Sequence, residues 1–286
     1  MIDLHILFLS VLQGITEFLP VSSSGHLILF AKFTTFEDQG IALDVAVHLG
    51  SIFAVIIYFW KTIWDVVKGT LKTFFIPNFK NSGNKLFWLM VIGTVPVVIT
   101  GLLFRKYGIE FRDDEGSKII GWTILGFGIL LFVADRVGMT IRKVDHLSIL
   151  DALLIGLAQC LALVPGTSRS GITITMARFL GMERSEAAKF SMLLSIPAIL
   201  GAAALVGYEL YSTNQIQELF LALDGVIYSF VASILAIYIM MWWLQKSTFL
   251  PFVIYRIILG TILLLNSYGY ICLLYTSDAA DDMQCV

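Results

Sequence analysis

The chain has 286 residues, of which 58% are hydrophobic and 14% are charged, and its formal net charge is −2. Its mean hydropathy of +0.85 lies well above the range of soluble domains, so the composition indicates a membrane protein. No basic patch is dense enough for nucleic-acid binding. The three cysteines have neither metal-site nor redox spacing.

Six segments are long and apolar enough to cross a bilayer, which takes about 20 residues of helix. In chain order, we predict these spans at 42–60, 86–104, 118–137, 186–208, 219–244 and 250–273. The last residues, 274–286, lose the apolar character and match nothing upstream. We interpret them as a tail that is either foreign to the protein or disordered, and we assign it no function.

Two polar clusters lie outside these spans, at 13–26 (QGITEFLPVSSSGH) and 159–171 (QCLALVPGTSRSG). Each sits between apolar stretches that are too short to cross a bilayer alone. A proline ends the first stretch and a glycine permits the turn, so each unit predicts two short helices joined by a polar loop. Inside a membrane this is a re-entrant hairpin, and we place the two hairpins at 4–33 and 148–181.

The two halves of the chain correspond. An offset of 146 residues relates Gln13 to Gln159, and each hairpin precedes three spans. Because three is odd, the second half enters the membrane from the opposite side. We therefore predict an all-α polytopic membrane protein with six transmembrane helices and two re-entrant hairpins. Its inverted-topology repeat has halves at 1–137 and 138–273.

The basic residues predict the orientation in the membrane, because cytoplasmic loops are enriched in lysine and arginine. The richer side carries Lys61, Lys68, Lys72, Lys80, Lys85, Arg136, Arg142, Lys143, Arg178, Arg184, Lys189 and Lys246. The other side carries at most Lys32, Arg105, Lys106, Arg112 and Lys118. We expect the richer side to be cytoplasmic, so that both termini and the mouth of the first hairpin face outward.

The second cluster has the composition of an anion site. One guanidinium, Arg169, stands among hydroxyls just before a predicted helix N-terminus, where free N–H groups and the helix dipole favour an anion. Arginine also binds phosphate oxygens in a bidentate fork. The candidate substrate-binding residues here are Gly166, Ser168, Ser170 and Thr173. Alternatively, Arg169 pairs with a carboxylate and only holds the hairpins together.

The first cluster supplies reactive groups. Gln13 and Glu17 lie four residues apart and share a helix face, so both are expected at the site. Glu17 is a candidate general base or a ligand of a divalent cation. His26 suits proton transfer or nucleophilic attack, and so does a serine of the run Ser22, Ser23 and Ser24. Gln13, Ser22 and Ser24 are the candidate substrate-binding residues of this cluster, and at least one of the serines is expected to cap the next helix.

Other polar or small residues inside the spans have weaker interpretations. Asp44 and His48 lie four apart, and either line the mouth of a cavity or sit at the membrane interface. Asp224 and Arg256 are expected to pair across helices. The run 201–204 (GAAA) is expected to be a helix-packing face.

These motifs carry a family resemblance. The chain resembles the undecaprenyl-pyrophosphate phosphatase family, integral-membrane enzymes linked to bacitracin resistance. That family has an (E/Q)xxxE stretch leading into FLPVSSxGH, and a PGxSRSxxT motif, which stand here at 13–26 and 165–173. Further similarity lies at 49–51 (LGS), at 254–256 (IYR) and at Gly260, so the match extends to about residue 273.

The resemblance implies hydrolysis of the C55 polyprenyl pyrophosphate to its monophosphate, which recycles the lipid carrier of cell-wall synthesis. It places Glu17, His26 and Arg169 on the family's essential positions and Ser23 on the proposed nucleophile. Because Gln13 stands at the first acidic position, Glu17 is the sole anionic ligand for Mg or Ca. The implied setting is the bacterial inner membrane, with membrane lipids as partners and a cavity open to the periplasm; a homodimer is left open.

Two questions stay open at this point. Either Ser23 or His26 attacks the terminal phosphorus. The function itself has one rival, a transporter or flippase of a polyprenyl phosphate or another anion, because inverted repeats with broken helices are a transporter architecture. Passage of an anion does not need a glutamate and a histidine beside a phosphate loop, which favours the hydrolase.

Overall fold

The computed structural model describes residues 4–23, 25–27, 40–108, 116–138, 140–212 and 223–270. Ten α-helices lie within these residues, and a short 3₁₀ helix, Cys160–Leu163, follows the sixth. In chain order the helices are α1 Leu4–Thr16, α2 Gly40–Tyr58, α3 Trp60–Lys72, α4 Ser82–Tyr107, α5 Gly116–Val137, α6 Ile149–Gln159, α7 Arg169–Phe179, α8 Arg184–Ser212, α9 Leu223–Leu244 and α10 Leu250–Ser267.

Five of these helices, α4, α5, α8, α9 and α10, are long and apolar enough to cross a membrane. A sixth candidate is the pair α2 and α3, which meets the same criteria only when taken together and is bent by 85° between its two helices. The helix α1 and the segment Ile149–Leu163 are apolar but shorter. The prediction of an all-α membrane protein is therefore confirmed, with five or six candidate spans among the described residues.

The sharp bend after α2 differs from the sequence prediction, which ended the first span at residue 60 and placed a loop there. Instead the chain continues as α3, an amphipathic helix. Its exposed surface carries Trp60 and Trp64, and the Nζ atoms of Lys61 and Lys68 lie 5.8 and 5.0 Å from the centres of these rings. Tryptophan and lysine together are typical of a helix that lies at a membrane surface.

Local signals explain where several helices begin and end. The side chain of Asn81 accepts a hydrogen bond from the backbone N–H of Asn84 at the start of α4, and that helix ends at Gly108, whose φ is 63°. The helix α6 begins with a capping box formed by Ser148 and Asp151. These are the residue types that helix ends favour, because they satisfy backbone groups that the helix itself leaves free.

The helices pack in a reciprocal pattern. The short helix α1 lies against α9, and the short helix α6 lies against α4. The helices α5 and α10 form one further close pair, and α2 packs on both α9 and α8. Glycines permit these close approaches: a Cβ added to Gly14 would lie 2.6 Å from the carbonyl oxygen of Ser229, and one added to Gly156 would lie 2.4 Å from that of Gly93.

One buried ion-pair network joins Asp135 near the end of α5 to Arg178 near the end of α7 and Arg184 at the start of α8. Arg178 is 0% exposed, and its Nε lies 3.3 Å from a carboxylate oxygen of Asp135. Arg184 donates to the same carboxylate at 2.7 Å. Arg178 also donates to the carbonyl groups of Met182 and Gly138. Arg178, counted above among the basic loop residues, is thus part of the core.

Some predicted segments lie outside the described residues. These are residues 24 and 28–33 of the first predicted hairpin, residues 219–222 of the fifth predicted span, residues 271–273 of the sixth, and the whole tail 274–286.

Candidate active site

Two loops with the same local geometry bring the polar clusters together. Ser22 has a φ of 78° and Ser168 a φ of 71°, a left-handed conformation that is uncommon for residues other than glycine. The hydroxyl of Ser22 accepts a hydrogen bond from the N–H of Gly25 at 3.3 Å, and that of Ser168 accepts one from the N–H of Gly171 at 3.1 Å. The two serines are 146 residues apart, so the predicted offset relates two equivalent helix caps.

The residue after each cap points at the same carboxylate. The hydroxyl of Ser23 donates to Oε2 of Glu17 at 2.9 Å. From the other loop, Nη2 of Arg169 donates to Oε1 of Glu17 at 2.7 Å. Gln13, one helical turn before Glu17, donates its side-chain N–H to Oε2 at 2.7 Å. The carboxylate is 6% exposed, so these donors replace the water that it loses on burial.

His48 approaches Glu17 from α2. Its Nε2 lies 3.6 Å from Oε2 of Glu17, and its Nδ1 lies 2.6 Å from the carbonyl oxygen of Asp44, to which it donates. Because Nδ1 carries that proton, Nε2 carries one only in the imidazolium form, and only then are His48 and Glu17 an ion pair. One interpretation of the sequence placed His48 at the mouth of a cavity, but the sequence did not predict this contact with Glu17.

The cluster lies at the polar end of a cavity of about 690 Å³. The groups at this end are Glu17, Ser23, His48, Ser168 and Arg169, and the nearby walls include Asp44 and Gln159. Asp44 and His48 therefore line a cavity, as one of their two interpretations predicted. The remaining wall contains one further charged residue, Arg105, and is otherwise apolar, formed by Val45, Val97, Val98, Gly101, Leu102, Ala162, Leu163, Ala198, Ile199, Gly201, Ala202, Ala203, Leu205 and Val206.

The small-residue run in α8 has a different role from the predicted one. Gly201, Ala202 and Ala203 line the cavity, and a Cβ added to Gly201 would meet nothing within 4 Å among the described residues. The expectation that this run is a helix-packing face is therefore wrong. Among the described residues, the small side chains here keep part of the cavity open.

Three buried polar atoms at this end have no hydrogen-bond partner among the described residues. They are Nη1 of Arg169 and the side-chain carbonyl oxygens of Gln13 and Gln159. An unsatisfied buried donor is costly, and it is most costly when it carries charge. Because Arg169 lines the cavity, an oxygen of a bound anion would satisfy its free N–H groups.

His26 lies beside this cluster but is held by other groups. Its Nδ1 donates to the carbonyl oxygen of Ser22 at 2.6 Å, and its Nε2 lies 2.5 Å from the hydroxyl of Tyr255 in α10. The two rings are stacked, with centroids 5.6 Å apart. His26 is not among the described residues that line the cavity. Its catalytic role therefore stays a prediction.

The other candidate substrate-binding residues are mostly engaged within the loops. Ser170 donates to the carbonyl oxygen of Leu19 at 2.9 Å and so joins the second loop to the first. Thr173 donates to the carbonyl oxygen of Arg169 at 2.9 Å. At Gly166, where φ is 86°, an added Cβ would lie 2.2 Å from the hydroxyl oxygen of Thr123.

Of the predicted substrate-binding hydroxyls, only Ser168 is among the described residues that line the cavity. Ser22 is 1% exposed and serves as a cap, and Ser24 lies outside the described residues. These contacts give Ser22, Gly166, Ser170 and Thr173 roles in holding the loops. As substrate ligands they stay predictions.

A resident divalent cation does not fit the donors that are present. Among the described residues no group of three or more histidine, cysteine, aspartate or glutamate side chains could hold a metal ion. Glu17 is the single carboxylate in contact with Ser23 and Arg169, and both of its oxygens already accept hydrogen bonds. The role of Glu17 as a Mg or Ca ligand stays a prediction, and we assign no chemical step to a cation.

The expected pair of Asp224 and Arg256 is not formed. Asp224 is exposed at the start of α9, whereas Arg256 is 0% exposed and donates its guanidinium hydrogen bonds to backbone carbonyl groups. That pairing prediction was wrong. A sequence shows which carboxylates could pair with an arginine, but it does not show which backbone carbonyl groups the fold brings around it.

Comparison with known proteins shows the family of this chain. The family model described as bacitracin resistance protein BacA matches residues 6–262. An undecaprenyl-diphosphatase 1 from Rhodospirillum rubrum is 48% identical over 274 residues, covering 94% of this chain and 96% of that protein. Undecaprenyl-diphosphatases from Roseobacter denitrificans and Jannaschia sp. are 45% and 46% identical, covering 93% and 91% of this chain and 98% and 97% of those proteins. The chain belongs to the bacitracin resistance protein BacA family.

Proposed function

We propose that this chain hydrolyses undecaprenyl pyrophosphate to undecaprenyl phosphate and inorganic phosphate, and so recycles the lipid carrier of cell-wall synthesis. The observation that carries this proposal is the convergence of Ser23 and Arg169 on Glu17 at the polar end of an apolar cavity. The names of the relatives support the same substrate. A transporter is not favoured, because moving an anion does not require a hydroxyl bonded to a buried carboxylate.

In this proposal Arg169 and the N-terminus of α7 bind the terminal phosphate. One nitrogen of Arg169 holds Glu17, and the other is free for a phosphate oxygen. The side chain of Ser168 caps α7, and the first N–H groups of that helix add partial positive charge. These donors stabilise the negative charge that grows on the phosphoryl oxygens during attack.

The nucleophile in this proposal is Ser23, and Glu17 is its base. As the Ser23 oxygen bonds to the terminal phosphorus, its proton moves to Glu17, and the bond from phosphorus to the bridging oxygen breaks to release undecaprenyl phosphate. Water then attacks the phosphoserine, the bond from phosphorus to the Ser23 oxygen breaks, and Glu17 returns its proton to that oxygen as inorganic phosphate leaves. The phosphate binds the second nitrogen of Arg169, so Glu17 keeps its contacts with Arg169 and Ser23 and is in place to accept the serine proton.

The enzymatic function predicts phosphate release by purified protein in detergent that is supplied with C55 pyrophosphate. Arg169→Ala removes the anion-binding donor and should lower turnover by at least about 100-fold. The variant should stay folded but with a lowered thermal unfolding midpoint, because the buried Glu17 carboxylate loses its cationic partner. Absence of phosphate release by the unaltered chain, or near-normal turnover of Arg169→Ala, would contradict the proposal.

The identity of the nucleophile can be tested with substrate labelled in its terminal phosphate. Rapid quenching should trap label on the chain as acid-stable phosphoserine, and Ser23→Ala should abolish both this label and turnover. His26→Ala should keep the label, because the geometry separates His26 from Glu17. An acid-labile label that survives Ser23→Ala and disappears in His26→Ala would instead identify His26 as the nucleophile.

We further propose that the apolar part of the cavity holds the prenyl chain. Three of its lining residues, Val98 and Leu102 of α4 and Leu205 of α8, are 40%, 48% and 45% exposed, so the wall is open between these helices. Within a bilayer this opening would face lipid, and a long chain would enter from the side while its pyrophosphate reaches Glu17 and Arg169. Burial of each methylene then contributes roughly 0.8 kcal/mol to binding.

A larger side chain in the cavity should lower activity on long prenyl pyrophosphates more than on short ones. Gly201→Phe places a ring in the cavity, and we expect kcat/KM to fall at least tenfold for C55 pyrophosphate but less than twofold for a water-soluble C5 pyrophosphate. Gly207→Phe is the matched control, since Gly207 lies on the same helix, does not line the cavity, and an added Cβ there would meet nothing within 4 Å among the described residues. An equal loss for both substrates would argue against a prenyl site here.

For the topology we propose six spans, formed by α2, α4, α5, α8, α9 and α10, and two re-entrant hairpins in an inverted repeat with halves 1–137 and 138–273. The reciprocal packing supports this arrangement: α1 of the first half contacts the second span of the other half, and α6 of the second half does the same in return. The equivalent caps at Ser22 and Ser168 support it independently.

We place the protein in the bacterial inner membrane, with Lys68 on the cytoplasmic side and Tyr268 on the periplasmic side, where the cavity mouth also opens. In a cysteine-free background, a membrane-impermeant maleimide should label Tyr268→Cys in intact spheroplasts and Lys68→Cys only after lysis. The reverse pattern would overturn the orientation. Labelling of both in intact cells would overturn the odd number of crossings between the two positions.

A further inference from the structure

Arg256 is a fully buried cation in α10, and no carboxylate of a described residue pairs with it. Its exposed fraction is 0%, and all of its hydrogen bonds go to backbone carbonyl oxygens. Burying an arginine without a countercharge is expensive. A leucine or methionine would fill the space without that desolvation cost, so the guanidinium is better explained by what it holds in place.

What it holds is both active-site loops at equivalent points. Nη1 donates to the carbonyl oxygen of Pro20 at 3.3 Å, and Nη2 donates to that of Gly166 at 3.2 Å. Pro20 and Gly166 are 146 residues apart, the same offset that relates the two helix caps. Each lies two residues before its cap and three before the functional side chain, which is Ser23 in one loop and Arg169 in the other.

Nη2 also donates to the carbonyl oxygen of Thr167 in the second loop at 3.0 Å, and the remaining contacts of Arg256 join it to α5. Its Nε donates to the carbonyl oxygen of Ile124 in α5 at 3.0 Å, and Nη2 also donates to that of Thr123 at 3.3 Å. A Cβ added to Gly171, in the first turn of α7, would lie 2.9 Å from Nη1. The guanidinium therefore fills the space between the two loops and the pair of helices α5 and α10.

We propose that Arg256 is a positioning residue, which sets the distance between the nucleophile and the phosphate-binding arginine by holding both loops through their carbonyl groups. This inference rests on the proposed function, and it adds a residue that touches neither substrate nor reacting atoms. A lysine keeps the charge but presents one ammonium group, which is unable to reach all of these carbonyl oxygens in the planar geometry that a guanidinium offers.

The test compares two buried arginines. Arg256→Lys should lower kcat for C55 pyrophosphate by about 100-fold, as expected when reacting groups are misplaced by about 1 Å, and should change KM by less than threefold. Arg178→Lys is the matched control, because Arg178 is equally buried and also donates to carbonyl groups, but at the other end of α7. It should reduce the thermal unfolding midpoint at least as much as Arg256→Lys and leave kcat within threefold.

A double-mutant cycle separates positioning from loss of folded enzyme. In the Arg256→Lys background Arg169 is already misplaced, so Arg169→Lys should lower kcat by a much smaller factor than it does alone. In the Arg178→Lys background, Arg169→Lys should lower kcat by the same factor as it does alone. Independent, multiplicative losses with Arg256→Lys would overturn the proposal, as would a kcat near that of the unaltered chain.

A second pair of variants keeps the proposal testable if Arg256→Lys does not fold. A Cβ added to Gly128 would lie 2.9 Å from the Cβ of Arg256, so Gly128→Ala displaces the guanidinium without removing it. We expect roughly a tenfold loss of kcat. Gly126→Ala on the same helix meets nothing within 4 Å among the described residues and should leave kcat unchanged.

Equal activity of these two alanine variants would contradict the role of Arg256 without affecting the proposed function. Failure of the proposed function is recognised separately, because the unaltered chain would then release no phosphate.

Discussion

The site is organised around one buried carboxylate that has to be satisfied from both halves of the chain. Glu17 is 6% exposed, so it needs protein donors in place of water. Gln13 and Ser23 come from its own half, and Arg169 comes from a loop 152 residues away. Neither loop forms a complete site alone, because the hydroxyl and the guanidinium meet only at this carboxylate.

The ion pair between Glu17 and Arg169 has one effect on stability and another on the geometry of the site. A buried ion pair between Glu17 and Arg169 contributes little net stability once the desolvation of both groups is counted. Its benefit is geometric, since it holds an arginine with free N–H groups next to a serine that already donates to a base. In the proposed mechanism, an incoming phosphate therefore finds its donors in place, with little reorganisation.

Sequence reasoning recovered the composition of this site better than its contacts. The offset of 146 residues identified two equivalent loops. The caps at Ser22 and Ser168 match in geometry, since the backbone of both loops turns through the same left-handed conformation. The bend into α3 was missed, since neither Phe59 nor Trp60 is a helix-breaking residue. The partners of Arg256 were missed because backbone carbonyl groups have no sequence signature.

Small residues and isolated histidines were ambiguous for a physical reason. A run such as Gly201–Ala203 permits close approach of any neighbour, and the sequence does not say whether that neighbour is a helix or a ligand. The two histidines near Glu17 differ in the same way. The sequence favoured His26 because it lies within a motif, whereas the fold brings His48 to 3.6 Å from the carboxylate.

The equivalent positions of Ser23 and Arg169 have an evolutionary consequence. Two copies of one short segment, facing each other across a pseudo-twofold axis, would present two identical side chains to a shared ligand. Two serines would lack the cation, and two arginines would lack the nucleophile. Under the proposed repeat and mechanism, joining the copies in a single gene lets each position mutate separately, so that one structural position carries the nucleophile in one half and the phosphate-binding arginine in the other.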